Sequence, residues 1–125
     1  EVTLDRWNAT DISTRLSEQG ANITWIGQGY RSLSAPSKRL EELVLSGKLI
    51  HGDHPILRAQ ASQVMIETDP AGNIKPSKRA SGSKANSERI DGIVALVMGL
   101  GRCMDSGESK TSVDDVYTDR GLRWL

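Results

Sequence analysis

The chain has 125 residues, enough for one domain around one hydrophobic core. Its 16 basic residues balance its 16 acidic residues, so the net charge is zero. This balance excludes a nucleic-acid-binding protein that is basic throughout and an acidic-tail protein. The single cysteine, Cys103, excludes an internal disulfide framework and favours a reducing, cytoplasmic setting. No apolar run approaches the roughly 20 residues of a membrane span, so we expect no membrane partner.

The beginning of the chain predicts a strand, a helix and a second strand. Residues 1–4 alternate polar and apolar side chains, residues 9–19 have helical spacing, and residues 22–26 are rich in β-branched and aromatic residues. This order indicates a βαβ unit of a parallel sheet, with Asp5 just beyond the first strand. Because the chain starts with Glu rather than Met, we interpret it as a fragment of a longer parent.

The middle of the chain predicts two helices and a β-hairpin. Ser34 is typical of a helix cap, with Pro36 in the first turn and Gly47 at the end. A shorter helix is expected from Pro55 to about Gln63. Residues 64–75 then have the pattern of strand, Asp-Pro-Ala-Gly turn and strand, which indicates a hairpin.

The last predicted helix spans residues 88–104 and has almost no polar face, so we expect it to be enclosed on most sides. Gly92, Gly99 and Gly101 lower its helix propensity, and we attribute them to close packing. Cys103 is expected to be a buried small apolar side chain. Residues 105–116 are polar and predict a mobile tail, and residues 1–125 are interpreted as a single domain.

Two carboxylates stand at positions that suit metal chemistry. Asp5 ends a strand at the edge where ligand sites of α/β sheets gather, and Asp91 lies in the first turn of an apolar helix. Each has a simpler explanation: Asp5 as a turn residue, and Asp91 as a favourable contact with the helix dipole. Only if they converge could they hold two Mg²⁺ or Mn²⁺ ions about 4 Å apart, as in phosphodiester cleavage.

A cluster of basic residues is confined to one stretch, residues 73–89, with a local net charge of +4. It suits contact with a phosphate backbone, although a solvated loop between residues 76 and 87 would have the same composition. The basic residues are Lys75, Lys78, Arg79, Lys84 and Arg89.

Two further patterns predict no site. His51 and His54, with Asp53 between them, could ligate a metal but are more typical of a turn. The Gly27–Gly29 turn matches neither of the glycine-rich loops that bind nucleotides.

The order and spacing of several short blocks resemble the C-terminal part of the nuclease domain of tailed-bacteriophage terminase large subunits. These proteins are the DNA-packaging motors of the phages. The resemblance extends over almost the whole chain. It rests on the blocks Asp5–Ala9, Gly27–Pro36, Leu45–Arg58, Asp69–Pro76, Arg89–Leu96 and Val116–Leu122.

The resemblance implies an α/β, RNase H-like nuclease fold that cuts concatemeric double-stranded DNA with two divalent metals. Asp5 and Asp91 match two of the family's catalytic, metal-binding carboxylates, and the basic residues would position DNA. The implied partners are the terminase small subunit, the portal and the parent's ATPase domain. The implied location is the cytoplasm of a bacterial host.

The resemblance also implies that part of the site is missing. The family's first catalytic aspartate, its strand, two antiparallel partner strands and the first helix would precede Glu1. We therefore expect the chain alone to bind metal weakly and cut poorly, and its strand edges to invite pairing with another copy. The alternative function is a non-catalytic DNA-holding or protein-docking module of a prophage remnant.

Overall fold

The computed structural model describes residues 1–7, 9–78 and 89–106, which form four helices and two small sheets. Arg79, Lys84 and most of the predicted tail lie outside the described residues. The elements in chain order are β1 (Val2–Asp5), α1 (Thr10–Glu18), β2 (Ile23–Ile26), α2 (Tyr30–Leu45), α3 (Pro55–Gln63), β3 (Val64–Thr68), β4 (Ile74–Lys78) and α4 (Asp91–Asp105).

The predicted βαβ unit is confirmed. β1 and β2 pair in parallel, with Val2 opposite Ile23 and Asp5 opposite Ile26. α1 forms the connection and ends where Gly20 adopts a φ of +82°, a conformation that a residue with a Cβ rarely takes. The pairing places Asp5 at the carboxyl edge of this sheet, beside the loop that follows β2.

The predicted hairpin is also confirmed, but its second strand is longer than expected. β3 and β4 pair antiparallel from Thr68 opposite Ile74 to Val64 opposite Lys78. The loop predicted from residue 76 is therefore wrong for residues 76–78, because the five residues of β3 provide a partner for each of them. Proline fits there since a two-stranded sheet leaves the outer edge of each strand free of ladder bonds.

α2 begins five residues earlier than the sequence predicts, because its N-cap is Gly29 and not Ser34. Gly29 is the N-cap, and its carbonyl accepts bonds from the N–H groups of Ser32 (3.1 Å) and Leu33 (3.0 Å). Ser34 is buried inside the helix, where its Oγ accepts a 3.2 Å bond from the N–H of Ile74 on β4. Ser34 thus joins the helix to the hairpin instead of capping the helix.

The core lies between α2 and α4. Leu33, Val97 and Met98 form its buried centre, and partly buried Ile26, Leu40 and Val94 pack around them. The helices approach closely at Gly101, where an added Cβ would lie 3.2 Å from Cγ of Pro36. Close packing therefore explains Gly101. It does not explain Gly99, since a Cβ there would meet nothing within 4 Å.

α4 is buried on one side only among the described residues, so the expectation that it is enclosed on most sides is wrong. Ile93, Val97, Met98 and Gly101 are buried, whereas Ala95, Gly99 and Cys103 are exposed. The exposed residues are spaced by four and share one helix face. The prediction of a buried Cys103 fails because hydrophobicity marks the helix as apolar without indicating which face has a partner.

α4 also extends through Asp105, which removes that residue from the predicted mobile tail. Within the described ranges, we find no helix that is both long and apolar enough to span a membrane.

Candidate active site

An open groove of about 470 Å³ lies where three parts of the fold meet: the β2–α2 connection, the end of β4 and the start of α4. Its polar lining comes from Gln28, Ser77, Lys78 and Asp91, and Met98 of the core contributes to its apolar wall. The groove therefore gathers one predicted metal ligand and one predicted DNA contact.

Asp5 is connected to this groove through Gln28. The Gln28 side chain donates a 2.8 Å hydrogen bond from Nε2 to Oδ2 of Asp5. The other carboxylate oxygen, Oδ1, is buried and has no hydrogen-bond partner among the described residues. A buried carboxylate oxygen without a donor is costly for a folded protein unless something else compensates it. The missing hydrogen-bond partner of Asp5 Oδ1 therefore indicates a ligand-binding site.

Asp91 is the first residue of α4, and its side chain is exposed at the groove. The residue before it, Ile90, is 3% exposed and anchors the start of the helix in the core. Gln28 lines the groove with Asp91 and also bonds Asp5, so one side chain links Asp5 to the groove at which Asp91 lies.

The donor chemistry fits a hard divalent cation. Carboxylate and amide oxygens are the ligands that Mg²⁺ and Mn²⁺ prefer, and Asp5, Asp91 and Gln28 provide them. The set is small, however. Across the described residues, no group of three or more His, Cys, Asp or Glu side chains is placed to hold a metal ion.

Gln28 is a candidate site residue that the sequence analysis does not single out. The glycines on either side of it attract attention only as a nucleotide-binding loop, which they do not form. A positional signal is nevertheless present: Gln28 follows β2 by two residues, so it stands at the same sheet edge as Asp5. Polar residues that follow neighbouring parallel strands meet at that edge.

The described basic residues fall into two groups. Lys78 is exposed and lines the groove, and Arg89 is exposed two residues before α4. Lys75 instead lies 3.5 Å from Oε2 of Glu67 and 4.8 Å from the ring centre of Tyr30. Its charge is therefore partly balanced within the fold.

The cluster of Tyr30, Glu67 and Lys75 has a fixed charge pattern. Tyr30 donates a 2.8 Å hydrogen bond to Oε1 of Glu67. That bond is the main cause that lowers the pKa of Glu67, so the carboxylate stays ionised beside Lys75. Desolvation, with the bond to Glu67 next, raises the pKa of Tyr30 to about 12.

His51 and His54 flank a turn before α3. The N–H of Asp53 donates a 3.2 Å bond to Nδ1 of His51, while the Asp53 carboxylate pairs with Arg58. His54 is the N-cap residue of α3.

Comparison with known proteins assigns the family. Residues 1–107 match the family model for the terminase large subunit, endonuclease domain. The chain is 33% identical over 127 aligned residues to protein YmfN of Escherichia coli, a match that covers 100% of this chain and 27% of YmfN. It is 34% identical over 102 residues to the terminase large subunit of Enterobacteria phage HK97, covering 80% of this chain and 19% of that protein.

The structural comparison agrees. The crystal structure of the HK97 bacteriophage large terminase matches with a TM-score of 0.67 and 31% sequence identity, over 80% of this chain and 20% of that one. The chain thus spans between about a fifth and about a quarter of the length of the curated relatives it matches. With its sequence and its fold in agreement, the chain belongs to the family of terminase large subunit endonuclease domains.

Proposed function

We propose that the chain is the C-terminal part of a metal-dependent endonuclease that cuts concatemeric double-stranded DNA for phage packaging. The observation that carries the proposal is the link that Gln28 makes between two carboxylates: it bonds Asp5, which has a buried oxygen without a hydrogen-bond donor among the described residues, and it lines the groove at which Asp91 is exposed. Family membership supports the same conclusion. The proposed fold is RNase H-like, and the proposed location is the cytoplasm of a bacterial host.

In this proposal, Asp5 and Asp91 are catalytic residues that hold Mg²⁺ or Mn²⁺. Bound divalent ions activate water and stabilise the leaving oxygen of a phosphodiester. Gln28 fixes the orientation of Asp5 by its 2.8 Å bond to Oδ2, and the buried Oδ1, which has no donor among the described residues, is the oxygen that would hold a cation. A carboxylate held in place before the substrate arrives does not lose binding energy to reorientation.

DNA would approach along the groove beside Lys78. Lys78 is exposed and lines the groove with Asp91, and Arg89 is exposed two residues before Asp91, so both are available to bind phosphates of the DNA backbone. Arg79 and Lys84, outside the described residues, remain proposed DNA contacts. Lys75 is a weaker candidate because Glu67 already pairs with it. Such contacts hold the duplex without reading its sequence.

The partners follow from the family. We propose double-stranded DNA, a terminase small subunit, a portal and an ATPase domain of the same parent chain. We also propose that a further carboxylate of the parent protein completes the metal site.

One observation favours a second candidate function. The part of the chain that the structure describes holds no group of three or more His, Cys, Asp or Glu side chains that could bind a metal ion. Such a chain could hold DNA or dock on a protein without cutting. Under this alternative, Asp91 is a helix-dipole residue, and the groove binds no metal.

The test combines Mn²⁺ binding, measured by the electron paramagnetic resonance of free Mn²⁺, with nicking of supercoiled plasmid. Asp5→Asn and Asp91→Asn should each weaken Mn²⁺ binding and abolish any nicking. Asp105→Asn is the matched control, because Asp105 is exposed at the other end of the same helix as Asp91. Mn²⁺ binding that survives both substitutions would show that Asp5 and Asp91 do not hold the metal, and it would favour the non-catalytic alternative.

A further inference from the structure

The start of α4 is held by a side chain from a different helix. Oε1 of Gln60, on α3, accepts a 2.7 Å hydrogen bond from the backbone N–H of Gly92. The two residues are 32 positions apart in the sequence, so the bond depends on the packing of α3 against α4.

α4 needs this bond because it has no cap of its own. The first N–H groups of a helix have no partner within the helix, and a polar N-cap side chain usually satisfies one of them. Here the N-cap residue is Ile90, which has no acceptor in its side chain, and the first bond within the helix runs from Val94 to Ile90. Gln60 thus supplies from α3 the acceptor that position 90 lacks.

Gly92 makes room for that acceptor. A Cβ at position 92 would lie 2.6 Å from Oε1 of Gln60, closer than real contacts allow. Glycine is a poor helix former, and its presence in the first turn of α4 is explained by the approach of Gln60. Gln60 and Gly92 therefore act together: one supplies the acceptor, and the other supplies the N–H donor and the space for that acceptor.

Asp91 lies between two fixed neighbours. Ile90 is buried in the core, and Gly92 is bonded to Gln60, while the Asp91 carboxylate itself is exposed at the groove. Since a rotation of the first turn would move the backbone of Asp91, the Gln60 bond restrains the position from which that carboxylate extends. Gln60 does not line the groove, so any effect on a ligand there must act through the backbone.

We propose that Gln60 is a positioning residue for the Asp91 carboxylate, which makes α3 a support of the metal-binding edge. This inference rests on the proposed function of Asp91. Supporting residues around metal ligands commonly change metal affinity by 10- to 100-fold when they are removed, because ligand geometry tolerates little displacement.

The experiment compares three substitutions in the full chain. Gln60→Met keeps the length of the side chain and removes the acceptor, whereas Gln60→Glu keeps an acceptor that also suits a helix N-terminus. Gln63→Met is the matched control, because Gln63 is exposed at the end of the same helix. We expect Mn²⁺ affinity to fall about 10- to 100-fold in Gln60→Met and to stay near the wild-type value in the other two.

A second measurement reads the hydrogen bond without metal. The Gly92 amide should exchange with solvent faster in Gln60→Met and at the wild-type rate in Gln60→Glu and Gln63→Met. Gly92→Ala reaches the same bond from the other side, and it replaces Gln60→Met if that variant fails to fold. Because the two changes break one bond, their combined effect on Mn²⁺ affinity should be less than the product of the single effects.

The outcomes separate this inference from the proposed function. If Asp91→Asn weakens Mn²⁺ binding but Gln60→Met and Gly92→Ala bind as tightly as Gln63→Met, the positioning role is overturned and the metal site stands. If Asp91→Asn binds Mn²⁺ as the wild type does, the proposed function fails, and the positioning role fails with it.

Discussion

Tyr30, the first residue of α2, donates a 2.8 Å hydrogen bond from its hydroxyl to Oε1 of Glu67, the second-last residue of β3. Ser34, one turn further along α2, is bonded to Ile74 of β4. The hairpin is therefore fastened to the helix on both of its strands. Both bonds lie at the turn end of the hairpin, and Lys78, at the other end of β4, lines the groove.

Tyr30→Phe should lower the melting temperature by a few degrees, because it removes the hydroxyl and leaves Glu67 without that donor. The contribution of this hydrogen bond to stability should fall at both acidic and alkaline pH. The lowered pKa of Glu67 contributes stability above its unfolded pKa, and this is lost as pH falls through the folded pKa. Thermal unfolding as a function of pH, with wild type and variant compared, measures this difference.

At alkaline pH, the contribution of Tyr30 to stability changes with pH in the opposite direction to that of Glu67. The pKa of Tyr30 is raised from 10.0 to about 12, so its contribution is complete below the unfolded pKa and is lost as pH rises through the folded pKa. Absorbance titration of a Tyr117→Phe variant isolates Tyr30, since the chain has two tyrosines. An ordinary titration near 10 would contradict the bond to Glu67.

The glycines of α4 provide a matched pair. Gly101→Ala would push a Cβ to 3.2 Å from the rigid ring of Pro36, whereas the same change at Gly99 meets nothing within 4 Å. We expect Gly99→Ala to stabilise the fold by about 0.5–1 kcal/mol through helix propensity. Gly101→Ala should be about 1–3 kcal/mol less stable than Gly99→Ala because it overpacks the α2–α4 contact. Urea denaturation measures both, and equal stabilities would show that the two helices can separate there without cost.

DNA binding should depend on Lys78 more than on other exposed lysines. We expect Lys78→Glu to weaken binding to double-stranded DNA and to reduce the slope of log K against log salt by about 0.9 for each phosphate that the protein no longer neutralises. Lys48→Glu makes the same charge change at an exposed position far from the hairpin in sequence. Fluorescence anisotropy over a salt series distinguishes them. Identical slopes for the two variants would remove Lys78 from the proposed interface.

The hairpin turn should be acid-sensitive through Asp69. Its carboxylate accepts bonds from the N–H groups of Ala71 (2.9 Å) and Asn73 (2.8 Å) and from the Asn73 side chain, which is the leading cause of its lowered pKa. Asp69→Ala should therefore lower the melting temperature at neutral pH. The difference from wild type should shrink as pH falls through the folded pKa. A difference that persists at low pH would mean that the turn does not depend on the charge.

Local patterns in the sequence predict the parts of this fold that are determined locally. The βαβ unit follows from periodicity and from Gly20, and the hairpin follows from the Asp-Pro-Ala-Gly turn. Local pattern predicts the wrong start for α2, because Ser34 and Pro36 have the spacing of a helix cap and first turn. What overrides that spacing is a set of tertiary contacts to β3 and β4, which no local pattern contains.

The candidate site divides in the same way. Asp5 and Asp91 can be identified from their positions at the end of a strand and the start of a helix. Gln28 and Gln60 form their bonds to residues 23 and 32 positions away; the position of Gln28 after β2 is a sequence signal for its role, whereas the role of Gln60 emerges only from the packing of the chain. The burial of Cys103 is equally undetermined by local pattern, since it depends on which face of α4 finds a partner.

The exposure of Cys103 makes the chain ready for spectroscopy. It is the only thiol in the sequence, so a maleimide or methanethiosulfonate probe should attach at one site without further mutagenesis. Cys103 lies on the same helix as Asp91, and twelve residues of α-helix separate them by about 18 Å. That separation is suited to paramagnetic broadening between a nitroxide on the cysteine and Mn²⁺ near Asp91. Because both residues lie on one helix, the measured distance between the nitroxide and Mn²⁺ would locate the metal, which an affinity alone does not.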